Sequence, residues 1–175
     1  MKHGTWYTEP MDKVREKYRK LTLLLIMKNI TVSTMESCTA GQIASLLTDT
    51  EGSSAVFRGA YVSYSNQAKV LLGVHSETIE KYGVYSIHAS EAMASTCREV
   101  FRTDIGIGIT GSFGNVDPYN PDSVPGEVFF SVNTSEGSSS YHYSVPKQKS
   151  RLDYKLYIAD VIADKLLELI APDGT

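Results

Sequence analysis

The feature that most constrains the fold is a change of periodicity across six residues. Ile30-Thr31-Val32-Ser33-Thr34-Met35 has the β-branched character of a strand, and Gln42-Ile43-Ala44-Ser45-Leu46-Leu47 the apolar spacing of a helix. Between them stands Glu36-Ser37-Cys38-Thr39-Ala40-Gly41, so the chain turns there from the end of a strand directly into a helix. Open α/β sheets build ligand crevices at such elbows, where backbone N–H groups are free at the end of the sheet. Ser37 therefore has two readings: one of the hydroxyl residues that cap helices, or the nucleophile or anchor of a site.

The 175 residues, 42% of them hydrophobic, suffice for one domain with a proper core and are few for two. Residues 1–10 read as a flexible leader and 11–175 as a single domain. A net charge of −3, with no dense cluster of Lys and Arg, carries no electrostatic footprint for a phosphate backbone, so no nucleic acid is expected as partner. The apolar run 21–27 ends at Lys28, well short of the roughly 20 residues that span a bilayer, so no membrane is expected either. Cys38 and Cys97 form no CxxC pair, and His3, His75, His88 and His142 are scattered. Neither a metal site nor a disulfide framework is indicated, and a reducing, cytoplasmic setting fits best.

Helical and strand-like patterns alternate along the chain. Val14, Tyr18, Leu21, Leu24, Leu25 and Met27 recur at helical steps, ended by Asn29. A strand over 56–64 is interrupted by Gly59; short helices then end at Gly73 and Gly83, and a longer one over 87–101 follows Ser86 as its cap. Cys97 lies on the apolar stripe of that helix, so it reads as a small core residue. Over 104–110, Ile105, Ile107 and Ile109 alternate with Gly106 and Gly108. The glycine face admits either a neighbouring helix or a ligand, and Thr110-Gly111-Ser112-Phe113-Gly114 offers N–H groups to an anion. Residues 115–125, with three prolines and two aspartates, read as a mobile loop, and two strands form a late hairpin around 134–137. A closing helix starts at Arg151. This order implies a three-layer α/β/α sandwich with a mixed, mostly parallel sheet.

A serine that attacks a carbonyl needs a base, and no histidine falls at a strand end in this reading. Lysine is the alternative. After the second strand comes Tyr64-Ser65-Asn66-Gln67-Ala68-Lys69, where Asn66 and Lys69 share a helix face. A desolvated Lys69 can take the proton of Ser37, with Tyr64 as a relay; otherwise it is an ordinary solvated lysine.

Taken together, the 36–41 segment, Gly52-Ser53-Ser54, the 64–69 segment and Leu72-Gly73-Val74 resemble the CinA C-terminal family of nicotinamide-nucleotide amidases, over roughly residues 12–170. The resemblance implies hydrolysis of nicotinamide mononucleotide to nicotinic acid mononucleotide and ammonia, without metal or other cofactor, by a serine–lysine mechanism. It implies Ser37 as nucleophile, Lys69 as base and Tyr64 assisting. Thr39, Gly41, Asn66, Thr110 and Gly111 would bind substrate, and Arg151, or Lys155 one turn on, would hold its phosphate. A small nucleotide is then the ligand, and homo-oligomers, dimeric or larger, are expected because family members commonly pair. Where the family typically runs Thr-Gly-Ile-Ala-Gly-Pro, this chain has Thr110-Gly111-Ser112-Phe113-Gly114-Asn115; the family's Gly-Asp-Arg before the last helix is missing, replaced by Pro146-Lys147-Gln148-Lys149-Ser150-Arg151. The separate N-terminal domain of longer members is not among these 175 residues, so the chain reads as a stand-alone form. The alternatives are a non-catalytic nucleotide-binding module and an amidase for a different small amide.

Overall fold

A computed structural model describes residues 8–171. A first helix, α1 (Thr8–Lys28), leads into strand β1 (Val32–Glu36), then α2 (Gln42–Thr48) and β2 (Phe57–Val62). Three helices follow, α3 (Asn66–Leu71), α4 (Ser76–Tyr82) and α5 (Ile87–Phe101), then β3 (Ile105–Gly111), the hairpin β4 (Glu127–Thr134) and β5 (Gly137–Ser144), and α6 (Arg151–Ile170). Of the expected leader, Thr8 to Pro10 already belong to α1, and the rest lies outside the described residues. The hairpin turn is two residues shorter than the pattern implied, because β5 starts at Gly137 opposite Thr134.

The five strands are ordered β2-β1-β3-β4-β5. β1 is parallel to both β2 and β3, while β3–β4 and β4–β5 are antiparallel. The pairings thus split evenly, yet only β4 runs against the other four strands, which is the mixed sheet the alternation implied. α5 covers one face, against β1, β3 and β4; α1, α2 and α6 form the layer on the other.

The alternation within β3 divides the two layers. Ile105, Ile107 and Ile109 enter the large core with Leu21, Leu25, Ile158 and Ile162. Gly106 and Gly108 face α5 so closely that a Cβ at either would collide with the backbone of Ala94 or Ser90. The glycine face is therefore filled by a helix, not by a ligand. Met35, Met93, Cys97 and Val74 form a smaller core on this side, and burial pushes the Cys97 thiol up to about 11, as suits a core residue. On α1 the buried stripe is Val14, Tyr18, Leu21 and Leu25, while Leu23 and Met27 face outward.

β1 sits between β2 and β3; the chain runs from β1 to β2 through α2 on one face of the sheet and from β2 back across β1 to β3 through α5 on the other. That arrangement is a topological switch point, and it puts the 36–41 elbow, the start of α3 and the end of β3 side by side.

Candidate active site

The elbow is shaped by Glu36. Its carboxylate is fully buried and accepts the N–H groups of Gly41 (3.0 Å), Ile43 (3.1 Å) and Ala44 (2.8 Å), together with the Thr34 hydroxyl (3.1 Å). A carboxylate collecting the first amides of α2 does the work of an N-cap, with its charge at the positive end of the helix. Gly41, at φ 89°, occupies the capping position without a side chain, as that left-handed turn favours. Ser37 is thereby released from capping, which removes the first of its two readings. Sequence reasoning quoted Glu36 but gave it no role; the available signal was an acidic residue closing a strand just ahead of a helix.

Lys69 comes to Ser37 from α3. Its Nζ donates to Ser37 Oγ at 3.0 Å and to the Ser63 carbonyl at 2.7 Å, with 1% of the residue exposed. The reading as a solvated lysine is excluded. Ser65 caps α3 by accepting the Ala68 N–H, which fixes the helix so that its fourth residue points inward. Burial lowers the Lys69 pKa to about 8, against the weaker opposing pull of Cys38 and Asp117. A neutral amine there has a lone pair for the serine proton while keeping its N–H on Ser63. Cys38, next in the chain, is inert: burial and the Glu36 charge push its thiol up to about 12.

Ser37 opens into a cavity of about 800 Å³. Among the expected residues, Tyr64, Asn66, Gly111 and Arg151 line it; Thr39, Gly41 and Thr110 do not. Thr39 is turned into the interior, Gly41 spends its N–H on Glu36, and the Thr110 hydroxyl donates to the Val84 carbonyl at 3.0 Å. Thr110 and Gly111 lie within the β3–β4 ladder opposite Phe129 and Val128, so the elbow is the better source of free amides. There, the N–H groups of Cys38 and Thr39 donate to no carbonyl or carboxylate among the described residues.

Tyr64 is not placed as a relay between Ser37 and Lys69. It is 62% exposed at the rim, and its hydroxyl accepts Arg151 Nη2 at 3.2 Å. Arg151 also donates to the Phe113 carbonyl at 3.4 Å and lies over the Phe113 ring, which stacks on Tyr154. The two places where the chain departs from the family pattern thus pack on one another. Lys155 does not line the cavity. Beyond Arg151 an adjoining cavity of about 460 Å³ is lined by Lys147 and Lys149.

The 115–125 loop, expected to be mobile, forms a wall of the cavity through residues 115–120. Asp117 accepts the Tyr85 hydroxyl (2.6 Å), Asn120 Nδ2 (2.6 Å) and the Tyr119 N–H (3.0 Å), and Asn120 in turn accepts Asn66 Nδ2 at 2.9 Å. This chain of bonds ties the loop to α3, the helix that carries Lys69.

Fold and geometry define a class: three-layer α/β domains with a serine–lysine pair at the carboxyl end of the sheet's switch-point strand. The chain belongs to the CinA C-terminal domain family, whose model matches residues 15–163. It is 39% identical over 129 residues to a CinA-like protein of Flavobacterium psychrophilum, covering 72% of this chain and 31% of that one. It is 38% identical over 157 residues to a putative competence-damage inducible protein of Streptococcus agalactiae, covering 86% and 36%. The chain thus spans about a third of the length of these relatives. Among solved structures, a CinA superfamily protein from Escherichia coli superposes with a TM-score of 0.82 at 23% identity, covering 95% of each chain. A competence/damage inducible protein from Agrobacterium tumefaciens superposes at 0.77 with 27% identity, covering 95% of this chain and 99% of that one.

Proposed function

We propose that this protein is an amidohydrolase that converts nicotinamide mononucleotide to nicotinic acid mononucleotide and ammonia. The observation that carries the reading is the buried Lys69 amine 3.0 Å from Ser37 Oγ, a nucleophile and a base of lowered proton affinity in contact. Ser37 Oγ attacks the carboxamide carbon as its proton passes to Lys69. The amides of Cys38 and Thr39 stabilise the resulting oxyanion. Lys69 returns the proton to the departing nitrogen, the C–N bond breaks, and ammonia leaves an acyl ester on Ser37. Water, deprotonated by Lys69, then attacks the ester, and Ser37 leaves with the proton restored.

Arg151, free of any ion pair among the described residues, supports a phosphate position at the mouth of the cavity, and Lys147 and Lys149 add to it from the adjoining one. Pairing of copies in solution remains part of this reading, and a monomeric mass at micromolar concentration would remove it. No described helix is long and apolar enough to cross a membrane.

The test is ammonia release from nicotinamide mononucleotide without added metal, for the wild type beside Ser37→Ala and Lys69→Ala. Turnover by the wild type and its loss in both variants is expected. A wild type that binds the mononucleotide without turning it over would make the domain a binding module.

A further inference from the structure

The charge pattern of the cavity is uneven. Among the described residues that line it, Asp117 is the one carboxylate and Arg151 the one cation, and they are not bonded to each other. The other titratable groups on the wall are the Cys38 thiol and the phenols of Tyr64, Tyr85 and Tyr119, with the Lys69 amine beneath Ser37. Every donor that contacts Asp117 is neutral: the Tyr85 hydroxyl, the Asn120 amide and the Tyr119 N–H. These bonds fix the carboxylate without cancelling its charge. Burial pushes its pKa up, but the hydrogen bonds from Tyr85, Asn120 and Tyr119 and the charge of Lys69 outweigh this and hold it below its ordinary value. It is therefore an anion at neutral pH.

Aromatic rings surround this anion. Tyr64, Tyr85, Phe113 and Tyr119 all line the same cavity, and Tyr119 stands 90% exposed in the 115–125 loop, where no packing need of the fold accounts for it. A wall that combines aromatic faces with an uncompensated carboxylate suits a flat ring bearing positive charge, through stacking, cation–π attraction and direct Coulomb attraction. A guanidinium elsewhere on the rim suits an anionic group on the same ligand.

We propose that Asp117 is a specificity-determining residue, which selects substrates whose carboxamide is carried on a positively charged heteroaromatic ring over substrates with a neutral ring. The proposal rests on the amidase reading above and names the feature of the substrate that this chain's own loop reads. Asp117 takes no part in bond breaking; it acts on ground-state affinity, with Tyr85 and Asn120 as its supports.

Oxidised and 1,4-dihydro nicotinamide mononucleotide test this directly, since they share carboxamide, ribose and phosphate and differ in ring charge. Calorimetric binding of each to the Ser37→Ala protein removes turnover from the readout. The oxidised form is expected to bind more tightly. Adding Asp117→Asn is expected to weaken the oxidised form by about tenfold and the reduced form by less than about twofold. Asp117→Glu, which keeps the charge, should retain the preference, and Tyr85→Phe, which removes a support but no charge, should reduce the preference less than Asp117→Asn does. Because the result is a ratio of two affinities on one protein, partial unfolding of a variant does not imitate it. Should Asp117→Asn not fold, Asp117→Ser takes its place in the same comparison, and absence of the preference in Ser37→Ala overturns the proposal by itself. Equal weakening of both forms by Asp117→Asn also overturns it and leaves Asp117 as a loop anchor. Charge-blind binding beside ammonia release by the wild type sinks this proposal alone; failure of both forms to bind sinks the amidase reading with it.

Discussion

Glu36 and Ala44 are joined by a 2.8 Å hydrogen bond from the helix amide to the strand-end carboxylate, across the turn that presents Ser37. Glu36→Gln replaces one carboxylate oxygen by an NH₂ group that faces backbone donors. The expected cost is about 2–3 kcal/mol of stability, since buried donors lose a charged acceptor. Thermal unfolding of the variant beside the wild type measures it, and a change within error would mean that the elbow holds its shape without the carboxylate.

The pH response of Lys69 follows from its depressed proton affinity. The base is competent when neutral, so kcat/KM is expected to climb with pH and level off above about 8. In Asp117→Asn the climb shifts to lower pH, because a negative charge that favours the ammonium form has gone. Stability follows the same group with its own sign. The folded pKa of about 8 lies below the ordinary 10.5, so between these values the unfolded chain binds more protons and stability rises with pH. The rise attributable to Lys69 is on the order of 3 kcal/mol. Lys69→Met should abolish it in urea titrations from pH 7 to 11, and an unchanged slope would deny Lys69 its shifted pKa.

Gly108 has Ser90 and Ala94 of α5 against its backbone. Gly108→Ala forces the helix away from β3 and is expected to lose roughly 3 kcal/mol, at the upper end for overpacking of a tight interface. Denaturant unfolding reads the loss. A near-neutral result would show that α5 can slide without penalty.

Much of the architecture was legible because its signals are local. The isoleucine–glycine alternation of β3, the Ser86 cap and the glycines after α3 and α4 each act within a few residues. The approach of Ser37 and Lys69 was expected as well, from a serine just after β1, a lysine on the first helix after β2 and the family resemblance. What escaped depends on contacts remote in sequence. Asp117 meets Tyr85 across 32 residues, and Arg151 meets Tyr64 across 87, so neither partner could be read from spacing. The assignments of Thr39, Gly41 and Thr110 to the ligand failed for a related reason. Gly41 spends its N–H on Glu36 and the Thr110 hydroxyl its proton on the Val84 carbonyl, while the Thr39 hydroxyl is buried without a partner among the described residues, and residue spacing shows none of this.

Ser37 sits on the 36–41 connection and Lys69 in α3, whereas residues 115–120 of the loop between β3 and β4 form one wall of the cavity. The serine–lysine pair and that wall are therefore carried by different pieces of chain, joined by the Asn66–Asn120 hydrogen bond. On the proposed function, a lineage that rewrites the loop changes the ligand wall and, through Asp117 and the Asn66–Asn120 contact, the proton affinity and seating of Lys69 with it, so a grafted foreign loop has to satisfy both.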